Sequence, residues 1–352
     1  MSARIRHVAM GDPQAPFSTV LGVLDAHRLL HSDGRLRADV QLISMGDHFD
    51  WGRPAERAQA TTDGVKLLSW LAAHPPEQVV IIAGNHDLAR VCELAPFATD
   101  EAFELAFARA SAAYRAGDVD LTAERAFLEA YPHVPDAECL ARDFSCFSTE
   151  QQRLVTELLR TGRLRLAHEH AGLLLVHAGV TAADFALIEA TPTDAASAAC
   201  ALNDFLSERV KRWSHGTLEL SPLHQPGSAT RGMARGAFFH RPAFPKADPQ
   251  FDGPPRRRFD PRHLPSQFPQ AIGHIRDKKA RELLGAWADG AAAVDGPIRS
   301  LRVDGESVRY EAGAMADARL YFLDCGMSHT KPERYELFDL DARRPLSPTR
   351  TS

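Results

Sequence analysis

The sequence predicts an α/β fold, and three features carry that expectation. Short aliphatic runs recur along the chain, stretches of helical period lie between them, and each run stops at or beside a glycine and a side chain able to hold a metal. The runs are "IRHVAMGD", "VQLISMGDHFD", "QVVIIAGNHD", "LLLVHAGV" and "PQAIGHIRD". Their length and their β-branched or aliphatic make-up suit strands buried on both faces. The segment "STVLGVLDAHRLL" follows the first run, "PAERAQATTDGVKLLSWLAAH" the second and "KKARELLGAWA" the last, each with apolar residues at helical spacing. Strands alternating with helices imply parallel strands joined by crossovers, with ligands gathered at the carboxyl ends of the strands. Asp12, Asp47, Asn85, His177 and His274 are therefore expected to converge, although they are far apart in sequence.

The rest of the chain is read as additions to one domain spanning residues 1–352. Residues 96–171 are alanine-rich and helical in period, far longer than a crossover requires, and are expected to form an inserted helical cap. Residues 221–269 are rich in Pro, Arg, Phe and Gly with little periodicity, which predicts a long loop insertion. "SLRVDGESVRYEA" alternates around Asp-Gly and predicts a hairpin, "RLYFLDCG" and "RYELFDLD" predict two more strands, and the tail "ARRPLSPTRTS" is expected to fray. No internal repeat is present.

Composition excludes several function classes. The net charge of −5 lacks the basic excess that nucleic-acid binding by counterion release needs. No apolar run approaches the length of a membrane span, and "MSARIRHVAMGD" reaches an acidic turn too early for a signal peptide. The five cysteines are scattered without a C-x-x-C pair, which predicts reduced thiols and a cytoplasmic location.

Taken in order, "GDPQ" (residues 11–14), "GDHFDWG" (46–52), "GNHD" (84–87), "VHAG" (176–179) and "GHIR" (273–276) resemble the motifs of the calcineurin-like metallophosphoesterases, the superfamily of phosphoprotein phosphatases and symmetrical diadenosine tetraphosphatases. The resemblance implies a four-layer α/β/β/α sandwich holding two divalent metals. Asp12, Gln14 and Asp47 would hold the first, with Asp47 bridging to a second that Asn85, His177 and His274 complete. Two cations roughly 3.5–4 Å apart can acidify a bridging water into the attacking hydroxide and clamp the phosphoryl oxygens. Mixed oxygen and imidazole donors suit Mn²⁺, with Fe, Zn, Co or Mg as alternatives. His86 takes the position of the general acid and Asp50 that of the carboxylate orienting it.

Three positions depart from the commonest pattern. Gln14 stands where a histidine is usual, a form also familiar in the diadenosine tetraphosphatase branch. Arg276 replaces a second histidine in the last motif, and Trp51 replaces the arginine that grips phosphate. Arg231 is the favoured substitute for that cation, in an Arg-Gly context like that of the phosphoprotein phosphatases, with Arg53, Arg235 and Arg276 as other candidates. His48, beside the bridging aspartate, would alternate away from the metals, and His168, His170, His215 and His240 carry no motif; all are read as solvated or structural. The expected activity is hydrolysis of a phosphate ester, in a phosphoprotein or a small phosphomonoester. The alternatives are symmetrical cleavage of a dinucleoside polyphosphate and a non-catalytic phosphate binder on the same fold. Oligomeric state is not legible.

Overall fold

In the computed structural model, residues 4–115, 117–225, 235–245 and 257–348 are described. In chain order the sheet strands are β1 (Arg6–Met10), β2 (Val40–Ser44), β3 (Val79–Ile82), β4 (Leu164–Arg165), β5 (Ala167–His170), β6 (Leu173–Val176), β7 (Gln270–Ile272), β8 (Arg299–Asp304), β9 (Ser307–Ala312), β10 (Leu320–Phe322), β11 (Leu337–Asp339) and β12 (Arg344–Leu346). They build two six-stranded sheets, ordered β12-β11-β1-β2-β3-β4 and β9-β8-β10-β7-β6-β5. Strands β1 to β4 run parallel, and so do β6, β7 and β10.

The apolar runs explain why the sheets sit inside. Every residue of β3 (VVII) and of β6 (LLLV) is buried, as expected of strands covered on both faces. One cover is the other sheet: the rings of Tyr321 on β10 and Phe338 on β11 meet with centroids 5.0 Å apart. The other cover is helical. Helix α1 (Phe17–Ala26) touches α2 (Arg57–Ala72), which packs on β3, while a helix over Ala195–Arg212 lies across β5 and β6. The layers are therefore helix, sheet, sheet, helix.

Between β3 and β4 come α3 (Asn85–Leu88), α4 (Asp100–Ala113), α5 (Leu121–Ala130) and α6 (Thr149–Arg160). Helix α4 and α5 pack together, and Phe103 of α4 meets Phe147 with ring centroids 5.0 Å apart. That is the body of the helical insertion. Helix α6 instead buries Leu154, Val155, Leu158 and Leu159 and packs on α2, and β4 and β5 extend the two sheets. So the last third of residues 96–171 belongs to the sandwich layers.

The described parts of residues 221–269 are packed against the body, with short strand pairings. Phe238, Phe239 and His240 are buried, and Arg241–Pro242 pairs with Arg258–Phe259. Strands β8 and β9 form the expected hairpin. Asp304 faces Ser307, so Gly305 (φ 54°) and Glu306 make the turn, one residue later than an Asp-Gly turn would. The tail departs from expectation, because Arg344–Leu346 pairs as β12 on the edge of β11. All five cysteines are free thiols. Among the described residues no helix is long and apolar enough to cross a membrane.

Candidate active site

The carboxyl ends of β1, β2, β3, β6 and β7 meet where the two sheets face each other, and each delivers one of the five convergent residues. Close approach explains the glycines beside them. A Cβ on Gly84 would lie 2.0 Å from Asp47 Oδ1, and one on Gly273 would lie 1.8 Å from Asp12 Oδ1. Asp47, Asp50 and His274 hold φ of 57°, 59° and 58°. Non-glycine residues in this left-handed region typically cost about 1–3 kcal/mol each, and such strain concentrates at functional sites.

The residues expected to hold the second metal lie in register with one another. His177 Nε2 lies 3.1 Å from Asn85 Oδ1, 3.1 Å from His274 Nδ1 and 3.4 Å from Asp47 Oδ1. Ligands around a cation with bonds of about 2.1 Å sit roughly 3.0–3.4 Å apart. The tautomer sharpens the point. His177 Nδ1 donates to the carbonyl of Met45 at 2.9 Å, so in the neutral ring the free lone pair is on Nε2. That lone pair faces two oxygens, an arrangement of acceptors against acceptors that a cation satisfies. His274 is kept neutral, pushed well below its ordinary value by burial and then by the nearby Arg241 cation. These residues fit a divalent metal.

The first position is carboxylate-rich. Asp12 accepts from the backbone N–H of His274 through Oδ2 at 2.8 Å, while its buried Oδ1 has no hydrogen-bond partner among the described residues. Burial raises the Asp12 carboxyl well above its usual range, and the charges of Asp324 and Asp47 raise it further. Asp324, just past β10, lines the same pocket and is pushed up to about 7 by burial, with Asp47 adding to the shift against the Gly326 N–H and Arg276. Crowded, desolvated carboxylates of this kind are what a bound cation stabilises. Gln14 also lines the pocket; its amide nitrogen donates to Phe49 O at 3.2 Å, which leaves its carbonyl oxygen free as a hard donor.

Beside these groups stands a histidine held by a carboxylate. His86 Nδ1 is 2.9 Å from Asp50 Oδ2, and its Nε2 is 3.9 Å from Asp47 Oδ2. Burial alone would lower the His86 pKa, but the Asp47 charge and the Asp50 hydrogen bond raise it to about 9. Phe144 of the insertion packs edge-on against the ring, with centroids 5.1 Å apart.

Arg90, not singled out in the sequence, anchors this pair. It lies one helical turn beyond His86, and its fully buried guanidinium reaches Asp50 Oδ2 at 2.6 Å and the His86 carbonyl at 2.7 Å. Against the cost of burial, Arg90 and His86 hold the Asp50 carboxyl down at about 2. Asp50 thus contributes stability that is present above its ordinary value of 3.8 and is lost as pH falls through about 2. Arg90→Met would take the buried guanidinium from that carboxylate and leave it only His86 Nδ1 and the Cys146 N–H. We expect it to lower stability by about 3 kcal/mol or more and to move acid unfolding to higher pH, both read from urea and pH melts.

Asp87 is a second unanticipated anchor. Its carboxylate accepts from the backbone N–H groups of Gly84, Asp47 and His48, and from His48 Nδ1 at 3.0 Å. His48 is wholly buried in this scaffold. Among the other motif-free histidines, His240 is buried near Asp184, whereas His170 joins a surface cluster described below.

The pocket over these residues has a cavity of about 280 Å³, walled by the insertion on one side and by Phe239, Arg241 and Arg257 on the other. The cations expected to grip phosphate differ in their placement. Arg53 is exposed and does not line the pocket, because the chain turns outward at Gly52 (φ 86°). Arg276 lines it but is held by Asp295 at 2.7 and 3.2 Å. Arg231 lies outside the described residues. Arg241 and Arg257 also line the pocket, in a segment where no motif marks them. The Arg241 Nε is buried without a hydrogen-bond partner among the described residues. Burial, helped by the Arg257 charge, lowers its pKa to about 10.

No protein-family model matches the chain, and no curated protein matches it. Solved structures give only a distant likeness. A cold-active protein tyrosine phosphatase solved at 1.1 Å is 13% identical, with a TM-score of 0.41 over 96% of this chain and 75% of that one. The cold-active protein-tyrosine phosphatase of a psychrophilic Shewanella is 12% identical, with a TM-score of 0.43 over 96% and 76%. Likeness at this level assigns no chemistry.

Proposed function

We propose that the chain is a two-metal phosphoester hydrolase of the calcineurin-like kind, acting on a phosphorylated substrate. The observation that carries this reading is the position of His177 Nε2, which faces Asn85, Asp47 and His274 at ligand spacing. Asp12, Gln14 and Asp47 would hold one cation, and Asp47, Asn85, His177 and His274 the other. Bound there, a pair of divalent ions, with Mn²⁺ favoured by the mixed donors, would supply Lewis acidity to the phosphoryl group and to an attacking water.

The chain's own residues supply the rest. His86, with Nδ1 fixed on Asp50, presents Nε2 to the pocket and gives its proton to the leaving oxygen. Asp50 and Arg90 keep the ring in that orientation. Arg241 and Arg257 bind the phosphoryl oxygens, a role suited to guanidinium forks. A phosphoprotein or a small phosphomonoester fits this machinery. A dinucleoside polyphosphate is the second reading, favoured by two adjacent cations and by the rings of Phe144 and Phe239 in the pocket wall. A mere phosphate binder would have no use for an oriented proton donor.

The test is hydrolysis of para-nitrophenyl phosphate by chelated chain with and without added Mn²⁺, followed by a panel of phosphopeptides and dinucleoside polyphosphates. Turnover that requires the metal supports the reading; equal rates with and without any divalent ion refute it. Symmetrical cleavage of diadenosine tetraphosphate, with phosphopeptides untouched, selects the second substrate class. Arg241→Gln should weaken inhibition by inorganic phosphate by about 10- to 100-fold, the worth of a hydrogen bond to a charged group. An unchanged inhibition constant would remove Arg241 from the phosphate site.

A further inference from the structure

A second cluster of metal-type donors lies away from the pocket. His7 on β1, His170 on β5 and Asp341 just after β11 bring three ligand atoms together. His7 Nδ1 is 3.1 Å from Asp341 Oδ1, His170 Nε2 is 2.9 Å from the same oxygen, and the two imidazole rings lie 4.4 Å apart and tilted by 39°. None of the three lines the catalytic pocket. His7 precedes Asp12 by five residues of a strand that runs toward the site, roughly 16 Å at 3.3 Å per residue.

The geometry points to a transition-metal site here, held by His7, His170 and Asp341 and distinct from the proposed catalytic pair. The separations of the two nitrogens from the shared oxygen, 3.1 and 2.9 Å, are close to those of neighbouring donors around a cation with bonds of about 2.0–2.1 Å. Without a metal the two ring N–H groups donate to the Asp341 carboxylate, His7 Nδ1 reaching Oδ2 at 3.2 Å as well; a cation takes the place of those two protons and uses the lone pairs they leave. Two imidazoles and a carboxylate are the donors of zinc, cobalt, nickel or copper and not of calcium. The side chains are 26%, 16% and 27% exposed, open enough for an ion to enter and for water to complete the shell. Arg4, 3.9 Å from Asp341 Oδ2, is the nearest competing cation.

The position gives such an ion a structural task. His7 and Asp341 belong to the first sheet and its β11–β12 turn, whereas His170 lies on the edge strand of the second sheet. A metal bound by all three would clip the sheets together at the end opposite the active site. It would stabilise the fold without touching substrate.

The experiment is calorimetric titration of chelated full-length chain with Zn²⁺, comparing wild type, Asp341→Asn and His170→Gln, alongside thermal melts and turnover. We expect each variant to bind one zinc equivalent fewer than wild type, to lose part of the zinc-induced rise in melting temperature, and to keep wild-type turnover. The same number of equivalents with the same affinities in all three proteins overturns the site, as does affinity no better than millimolar. A variant that melts early before zinc is added is replaced by His7→Gln and judged by the same two outcomes. Because the readout is a difference between proteins with intact catalytic residues, it stands whether or not the proposed hydrolase activity is found.

Discussion

Asp47→Asn is expected to leave the chain unable to hold two metals at the strand ends and to lower phosphoester turnover by on the order of 10³-fold or more, since several kcal/mol of charge stabilisation depend on the paired cations. The carboxylate lies where no other group can replace it. Its Oδ1 is 3.4 Å from His177 Nε2 on one side, and its charge acts on Asp12 and Asp324 on the other. An amide keeps the shape and one donor oxygen but not the negative charge that two cations must share. Metal content of the purified variant, measured by mass spectrometry beside wild type, checks the claim directly. Two firmly bound ions in Asp47→Asn would mean that the bridge is misassigned. The fold itself should survive, because Asp87 holds the neighbouring turn through the Asp47 and His48 N–H groups, and an amide oxygen can still accept from the His86 N–H as Asp47 Oδ1 does at 3.0 Å.

His86→Ala carries the other large effect. General acid catalysis is worth about 10²–10⁴ in rate, and that loss should fall on substrates with poor leaving groups, such as alkyl phosphates or phosphoserine peptides. Nitrophenolate needs no proton to depart, so para-nitrophenyl phosphate should suffer far less. Metal content should stay at the wild-type level, because His86 contributes no ligand. Equal losses on both substrate classes would instead assign His86 a role in binding or in shaping the pocket.

Much of this arrangement is visible along the chain, and the reason is local. A buried parallel strand must be apolar throughout, and a ligand at its end must follow at once, beside a glycine that lets the backbone come close. That rule marks Asp12, Asp47, Asn85, His177 and His274. It also marks Asp324, which follows the apolar run "RLYFL" two residues before Gly326. Arg90 had a signal too, since its distance from His86 is one helical turn. Arg241 and Arg257 had none. They sit in a segment without periodicity, and only the packing of Phe238 and Phe239 into the body carries the neighbouring guanidinium to the pocket.

The sequence by itself determined the alternation of strands and helices, the polar residue at each strand end and the net negative charge, because hydrophobic period, chain stiffness and composition are properties of the chain itself. Tertiary structure alone decided that those strands divide between two facing sheets, that α6 returns to the sandwich, that β12 pairs at the edge, and which cations face the pocket. Those outcomes depend on desolvation and on distances between residues a hundred or more positions apart, and the one-dimensional order of the chain does not encode such distances.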